Sequence, residues 1–190
     1  MSVSFSGELA FELHIPNQQL LASYQILLEA GETLGLAPFG MYAVESMRLE
    51  KGYGHWKVDL ISEYNPIEAG LERFVDMDKN FPGRPGLRKQ LASGLKRRRV
   101  LVEIDCDSAP AQAGESVYFE DKVVGTITSA AWGYRVNKNI AMAYLLPKYC
   151  EIGRQLSVML LGNRYQARVG GNSLYMPDGL NDQLRIDPSN

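Results

Sequence analysis

The sequence has few cysteines and histidines, the residues that most often build disulfides, zinc sites and nucleophile–base pairs. Its 190 residues include two cysteines and two histidines. Cys106 and Cys150 lie far apart and have no histidine or cysteine neighbour at ligand spacing, so neither a disulfide framework nor a zinc site is predicted. His14 and His55 show no recognisable pairing with a serine or cysteine nucleophile. We therefore predict no catalytic residue and no metal ligand in this chain.

The sequence also lacks a long apolar run and a strong excess of charge. No window approaches the roughly 18 apolar residues of a membrane helix, and the start, MSVSFSGELAFELHIP, alternates where a signal peptide would be basic and then apolar. The net charge of −2 gives no attraction to nucleic acid or to an anionic membrane. The cations of residues 96–99 could hold phosphates, but a solvated connection explains them better. We predict no nucleic-acid or membrane partner and a cytoplasmic location, since cysteines are scarce.

The first part of the chain has the pattern of an antiparallel sheet. Apolar and polar residues alternate over residues 11–15, which predicts a half-buried strand, and residues 3–5 are a plausible hairpin partner. A similar alternation over residues 71–76 predicts another strand. These strands indicate a partial antiparallel sheet.

Helical patterns lie between these strands. Asn17 can cap a helix that Gly31 closes, and a second helix is predicted from Pro38 to Gly52. A short helix ending at about Ala92 follows a proline- and glycine-rich turn. We expect two helices to cover one face of the sheet, so that residues 1–92 form one α+β domain.

The remaining residues, 93–190, read as a small all-β domain. Strand-like runs, VLVEIDCD, ESVYFEDKVVGTITSA, NIAMAYLLP and LSVMLLGNRYQARV, are separated by turn residues, with Gly162-Asn163 as a hairpin loop. Several short strands must close or cover their edges. We therefore predict an antiparallel β-barrel or jelly roll over residues 94–175.

Two features could serve a flat, nitrogen-rich ligand. Glu8 and Glu12, four residues apart on one strand, would point to one face, and a carboxylate can accept two adjacent N–H donors of a pterin or guanine-like ring. Tyr53 and Trp56 follow a helix end, where aromatic rings can wall such a ligand. A solvated polar face and ordinary packing explain the same residues, and spacing leaves both interpretations open.

An ordered series of motifs, SFSGELAFELHIP, MRLEKGYGHWKVDL, NPIEAGLERFV, NFPGRPGL, VVGTITSA and NIAMAYL, resembles the C-terminal half of the glycine cleavage T-protein (aminomethyltransferase) family. It is most similar to the version fused to dimethylglycine and sarcosine dehydrogenases. The resemblance implies tetrahydrofolate binding and one-carbon transfer, in which folate N5 attacks an aminomethyl or iminium carbon. It implies that Glu12 holds the pterin, with Phe5 and Tyr53 as further contacts, followed by Glu8 and Phe74.

Two departures from the family pattern shape these expectations. Val44 occupies the position of a family arginine, which removes one cationic contact to folate. The family's catalytic aspartate belongs to the N-terminal half, which nothing here matches. We therefore expect a C-terminal fragment, inactive alone, that needs a missing N-terminal half or a partner subunit, with FAD only in a missing upstream domain. The alternative is a non-catalytic folate-binding or docking module of a flavin dehydrogenase complex.

Overall fold

A computed structural model describes residues 4–175. Its α-helices are α1 (Leu20–Gly31), α2 (Met41–Glu50) and α3 (Arg84–Ser93), and short 3₁₀ turns occupy Asn17–Gln19, Glu32–Leu34, Glu72–Phe74 and Pro147–Tyr149. All three helices lie where the sequence predicts them, although Asn17 makes no side-chain cap to α1. In the described residues, no helix is both long and apolar enough to cross a membrane.

The second part of the chain is a closed antiparallel barrel. Its strands are β1 (Arg98–Ile104), β2 (Ser116–Phe119), β3 (Lys122–Gly133), β4 (Lys138–Leu145), β5 (Gln155–Leu160) and β6 (Asn163–Val169). They are arranged in the order β1-β4-β3-β2-β5-β6, and β6 pairs with β1 to complete the circle. Closure gives each strand of the barrel a neighbour on both sides. The α+β class and the predicted barrel are both confirmed; the domain division at residues 92 and 93 stays a prediction.

One hairpin differs from its predicted form. Leu160 pairs with Asn163, so the two loop residues are Leu161 and Gly162 instead of Gly162 and Asn163. Both have a positive φ, of 49° and 80°, as a two-residue loop between right-twisted strands requires. The shift by one position keeps Leu160 buried inside the barrel.

The apolar residues of the strands form two clusters. The larger fills the barrel, and its members include Val102, Val117, Ala141 and Val158. The smaller lies outside the barrel, where Leu49 of α2 packs with Leu101, Ile140 and Met142. Helix α2 is thereby fixed against the outer surface of β3 and β4.

The strands predicted before the barrel are not found in the described residues. Gly7 has a φ of 74°, and the Ser4 hydroxyl donates to the Glu8 carbonyl at 2.6 Å, so residues 5–9 bend where an extended strand would be needed. Phe11 occupies only a bridge position, and residues 72–74 form a 3₁₀ turn. The predicted hairpin partner at 3–5 lies partly outside the described residues. Alternation predicts a strand only where a neighbour can complete the ladder.

The first helix does not cover a sheet as predicted. In α1 the apolar side chains of Leu20, Leu21, Tyr24, Ile26 and Leu27 are about half exposed or more, and those of Leu9, Phe11, Leu13, Leu36 and Phe39 are exposed around it. An apolar surface of this extent normally marks a contact with other protein. The first part of the chain therefore exposes an apolar surface on a helix and its flanking loops.

The predicted solvated connection at residues 96–99 is also only partly correct. Arg98 and Arg99 belong to β1, and Arg99 donates from Nε to the Ala69 carbonyl at 2.7 Å. Burial lowers the pKa of Arg99 from its ordinary value. This arginine therefore fixes the 65–70 loop to the barrel instead of facing solvent.

Candidate functional site

Residues 53–60, which we call the anchored turn, follow α2 and carry Tyr53, His55 and Trp56. Gly52 ends the helix with a φ of 73°, and the Tyr53 amide donates to the Arg48 carbonyl at 2.9 Å. This left-handed residue reverses the chain and suits glycine, which has no Cβ to clash. The aromatic residues after the helix thus begin a tight, hydrogen-bonded turn.

A buried carboxylate holds this turn together. Asp59 is fully buried, and its Oδ2 accepts a hydrogen bond from the His55 amide at 2.7 Å and another from Arg48 Nη1 at 2.7 Å. Arg48 is also fully buried, and its Nη1 donates to the Tyr53 carbonyl at 3.0 Å. Buried charges need such paired and hydrogen-bonded partners. One ion pair therefore sets the backbone positions of both Tyr53 and His55.

The same carboxylate joins the turn to the barrel. Its Oδ1 accepts hydrogen bonds from Thr128 at 2.5 Å and from Ser129 at 2.7 Å, both on β3. The Tyr144 hydroxyl on β4 donates to the Asp59 carbonyl at 2.8 Å, and burial raises the pKa of Tyr144 well above its ordinary value. The Tyr144 ring stacks on Tyr64 at 3.5 Å. Two adjacent barrel strands thus fix the anchored turn in place.

The structure brings the N-terminal motif to the anchored turn through Phe5. The Phe5 ring packs edge-on against His55, with 5.5 Å between the ring centroids. His55 Nδ1 lies 3.1 Å from Glu45 Oε1, and Glu45 Oε2 accepts from Arg48 Nε at 2.9 Å. Phe5 is exposed, whereas His55 and Glu45 are partly buried. A ring, an imidazole and a carboxylate therefore lie together at the surface of the anchored turn.

Glu12 and Phe74 both occupy exposed positions. Glu12 Oε2 lies 3.7 Å from His14 Nε2, and both side chains are more than half exposed. Phe74 is 69% exposed in its 3₁₀ turn, and the Arg73 guanidinium lies 4.6 Å from the ring centroid. Their shared site with Phe5 and Tyr53 stays a prediction.

Glu8 joins three parts of the chain by ion pairs. Its carboxylate pairs with Arg135, in the loop between β3 and β4, and lies 3.2 Å from Lys51 Nζ at the end of α2. Burial alone would raise the pKa of Glu8, but the contacts with Arg135 and Lys51 outweigh it and lower the pKa below its ordinary value. Lys51 and Arg135 both face the Tyr175 ring, each at 4.8 Å. Glu8 is thus engaged in protein contacts.

The sequence interpretation missed the residues that build the anchored turn. No sequence pattern linked the four residues Arg48, Asp59, Thr128 and Ser129 to one another. The two hydroxyl residues lie 69 and 70 positions from the carboxylate that they contact. The available signal was an arginine and an aspartate on either side of a glycine-rich turn, at a spacing of 11. In the described residues, no group of acidic, histidine and cysteine side chains could hold a metal ion.

Two shallow cavities lie elsewhere on the barrel surface. One, of about 360 Å³, is lined by residues that include Phe119, Glu151 and Arg154, and another, of about 350 Å³, by residues that include Glu103 and Lys138. Neither contains a residue that the sequence singled out. The anchored turn therefore remains the candidate site, because of the aromatic, imidazole and carboxylate side chains gathered there.

Both parts of the chain match models of known protein families. Residues 1–79 match the family model of the GCVT N-terminal domain, and residues 97–175 match that of the glycine cleavage T-protein C-terminal barrel domain. The barrel strands observed at 98–169 lie within the second match. The matches therefore cover the anchored turn and the strands that hold it.

Curated proteins with similar sequences are longer than this chain. Human mitochondrial dimethylglycine dehydrogenase is 35% identical over 96% of this chain, which spans 21% of that protein. An aminomethyltransferase of Caldanaerobacter subterraneus subsp. tengcongensis is 33% identical over 90% of the chain, which spans 46% of it. Mouse mitochondrial sarcosine dehydrogenase is 38% identical over 75% of the chain. The chain thus spans 16% of the sarcosine dehydrogenase and at most about half of any of these three relatives.

A solved structure shares the fold. The crystal structure of glycine cleavage system aminomethyltransferase T from Bartonella henselae superposes with a TM-score of 0.82 at 24% sequence identity. The superposition covers 90% of this chain and 48% of the other. The arrangement of helices and barrel described above is therefore the fold of that region.

Proposed function

Because the chain belongs to the glycine cleavage T-protein family, we propose that it supplies the folate-contacting region and the barrel of a tetrahydrofolate-dependent aminomethyl or one-carbon transferase. The observation that carries the proposal is the packing of Phe5 against His55 on the anchored turn. It joins the two motifs, SFSGELAFELHIP and MRLEKGYGHWKVDL, whose residues would contact folate. The dehydrogenase relatives favour a dimethylglycine or sarcosine dehydrogenase-like protein.

The side chains around the turn suit a pterin ring chemically. A pterin has a flat face that aromatic rings can pack against and an edge of N–H donors that a carboxylate can accept. Phe5 and Tyr53 would supply rings, and Glu12 a carboxylate at the surface. Glu8 would contribute by holding the N-terminal motif to Lys51 and Arg135. Phe74 is a more distant candidate.

The rest of the reaction machinery would come from further polypeptide. The apolar surface of α1 and its flanking loops fits a contact with the additional length that the relatives carry. We propose that this polypeptide supplies the acid–base aspartate of the family, and that any FAD is bound in a separate upstream domain. The chain would then bind and position folate without carrying out the transfer alone. A cytoplasmic location also remains a proposal.

A folate titration of the complete natural protein tests the assignment of Glu12. Replacing Glu12 with glutamine should weaken tetrahydrofolate binding by about 1.5–3 kcal/mol, the usual value of a hydrogen bond to a charged group. The matched control is Glu63→Gln, because Glu63 is exposed on another loop. Isothermal titration calorimetry of both variants gives the two affinities. Equal affinities would mean that Glu12 does not hold the pterin, and absence of folate binding by the unaltered protein would remove the proposed function.

A further inference from the structure

A strongly basic segment lies between the two parts of the chain. Glu72 and Arg98 form an ion pair at 2.6 Å, and residues 73–97 between them, which we call the basic arm, include α3. The arm carries seven cations and two carboxylates, a net charge of +5 in a chain of −2, so the other residues carry −7 together. The cations are Arg73, Lys79, Arg84, Arg88, Lys89, Lys96 and Arg97. Positive charge is therefore concentrated in the basic arm, whereas the chain as a whole is weakly negative.

These cations are not neutralised inside the molecule. Over residues 4–175, no carboxylate forms an ion pair with any of the seven, whereas Lys138, Arg164 and Arg168 on the barrel each have one. The Arg73 guanidinium lies against the Phe74 ring, and Arg97 donates from Nη1 to the Lys96 carbonyl at 3.1 Å. The Glu68 carboxylate accepts hydrogen bonds from the backbone amides of Lys96 and Arg97, at 3.0 and 3.2 Å, and not from their charged groups. Arg84 and Arg97 are partly buried and the other five cations of the arm are exposed, so most of the arm's positive charge faces solvent.

The cations of α3 do not stabilise their own helix. Arg84 is the first residue of α3, and the first turn contains no acidic residue. Cations at a helix N-terminus oppose the helix dipole, which favours carboxylates there. Arg88 and Lys89 lie one turn later and are exposed. Interaction with the dipole of α3 therefore does not account for these charges.

We propose that the basic arm is a docking surface for an acidic polypeptide segment of a partner protein. Apolar side chains lie among the cations, with Phe74 69% and Leu91 40% exposed, and such a mixture is typical of a protein interface. The negative charge of the remaining chain would repel a long polyanion such as nucleic acid, but leaves a local acidic patch free to approach. This proposal is independent of folate binding.

Fluorescence anisotropy with a labelled peptide of glutamate, aspartate and leucine tests the proposal on the whole chain. The arm variant, Arg88→Glu with Lys89→Glu, should bind at least about tenfold more weakly, because like charges then face each other across the contact. The control variant, Lys122→Glu with Lys148→Glu, makes the same change in net charge at exposed barrel positions. It should stay within about twofold of the unaltered protein, since salt screens distant charges. Raising the salt concentration should weaken peptide binding to the unaltered protein.

Four results would overturn the proposal. The peptide could fail to bind the unaltered protein at low salt, or the control variant could lose as much affinity as the arm variant. A single-stranded DNA oligonucleotide of equal charge could bind more tightly than the peptide, which would indicate a phosphate-binding surface. Sedimentation velocity could show a dimer that the arm variant abolishes, which would make a second copy of the chain the occupant.

Discussion

Replacing Arg48 with methionine tests how strongly the buried ion pair holds the anchored turn to the barrel. Arg48 and Asp59 are both fully buried and 2.7 Å apart. Methionine keeps much of the apolar volume but removes the cation, so Asp59 would keep only hydrogen bonds from Thr128, Ser129 and the His55 amide. A buried carboxylate without its cation is the costly state.

The expected loss is large compared with the total stability of a domain. Breaking a buried pair by removing one partner costs about 3–5 kcal/mol, against a total of about 5–15 kcal/mol for a typical domain. Arg98→Met is the matched control, because Arg98 pairs with Glu72 while both side chains are about 40% exposed. An exposed pair contributes about 0–1 kcal/mol. The two variants make the same chemical change in different surroundings.

Urea denaturation followed by circular dichroism measures the free energy of unfolding of each variant. With a slope of about 1–3 kcal/mol per molar urea, Arg48→Met should lower the midpoint by at least about 1 M. The double variant Arg48→Met, Asp59→Leu should lose less than the two single variants together, since the uncompensated charge is gone. Equal midpoint shifts for Arg48→Met and Arg98→Met would refute the reasoning.

Two further changes test local geometry and electrostatics. Gly52→Ala would place a Cβ 2.0 Å from the Asn172 carbonyl oxygen, whereas the Cβ of Gly153→Ala, at a similar φ, would meet nothing within 4 Å. Thermal melting should therefore show a larger drop in melting temperature for Gly52→Ala than for Gly153→Ala. Equal drops would contradict this. Burial alone would raise the pKa of Glu103, but hydrogen bonds from Arg168 and Lys138 outweigh it and lower the pKa below 4.5. The stability that Glu103 contributes is therefore present above pH 4.5 and lost as the pH falls through its folded pKa, so the unaltered protein and Glu103→Gln should converge in acid unfolding experiments. A difference that persists at low pH would contradict this assignment.

The barrel was predictable because its signals are local. Each of the four predicted runs is bounded by turn residues, and the six strands that they contain can satisfy their edges by closing. The hairpin at Leu161 and Gly162 missed its predicted position by one residue, because burial of Leu160 decides the register and the glycine-asparagine pair does not. Helices α1, α2 and α3 were predictable from apolar periodicity and glycine ends in the same way.

The first part of the chain was harder to predict for a physical reason. Alternation over residues 11–15 and 71–76 indicates which face of a strand would be buried, but supplies no neighbour to pair with. The left-handed Gly7 and the Ser4 hydrogen bond to the Glu8 carbonyl then determine a bend that the period-two pattern does not contain. The resemblance to the family indicated the candidate site residues, while the packing of Phe5 against His55 depends on a contact that no local pattern encodes.

The contacts of Asp59 give the barrel a role in the proposed folate site without placing a barrel side chain on the ligand. The hydroxyl groups of Thr128 and Ser129 donate hydrogen bonds to the Asp59 carboxylate, which also accepts one from the His55 amide. Glu45 and Arg48 of α2 hold the His55 ring and the Tyr53 carbonyl from the other side. Because the turn is fixed from both sides by buried groups, little conformational entropy remains to be lost when a ligand binds to it. Under the proposed function, the barrel therefore acts by pre-ordering the turn that carries Tyr53 and His55.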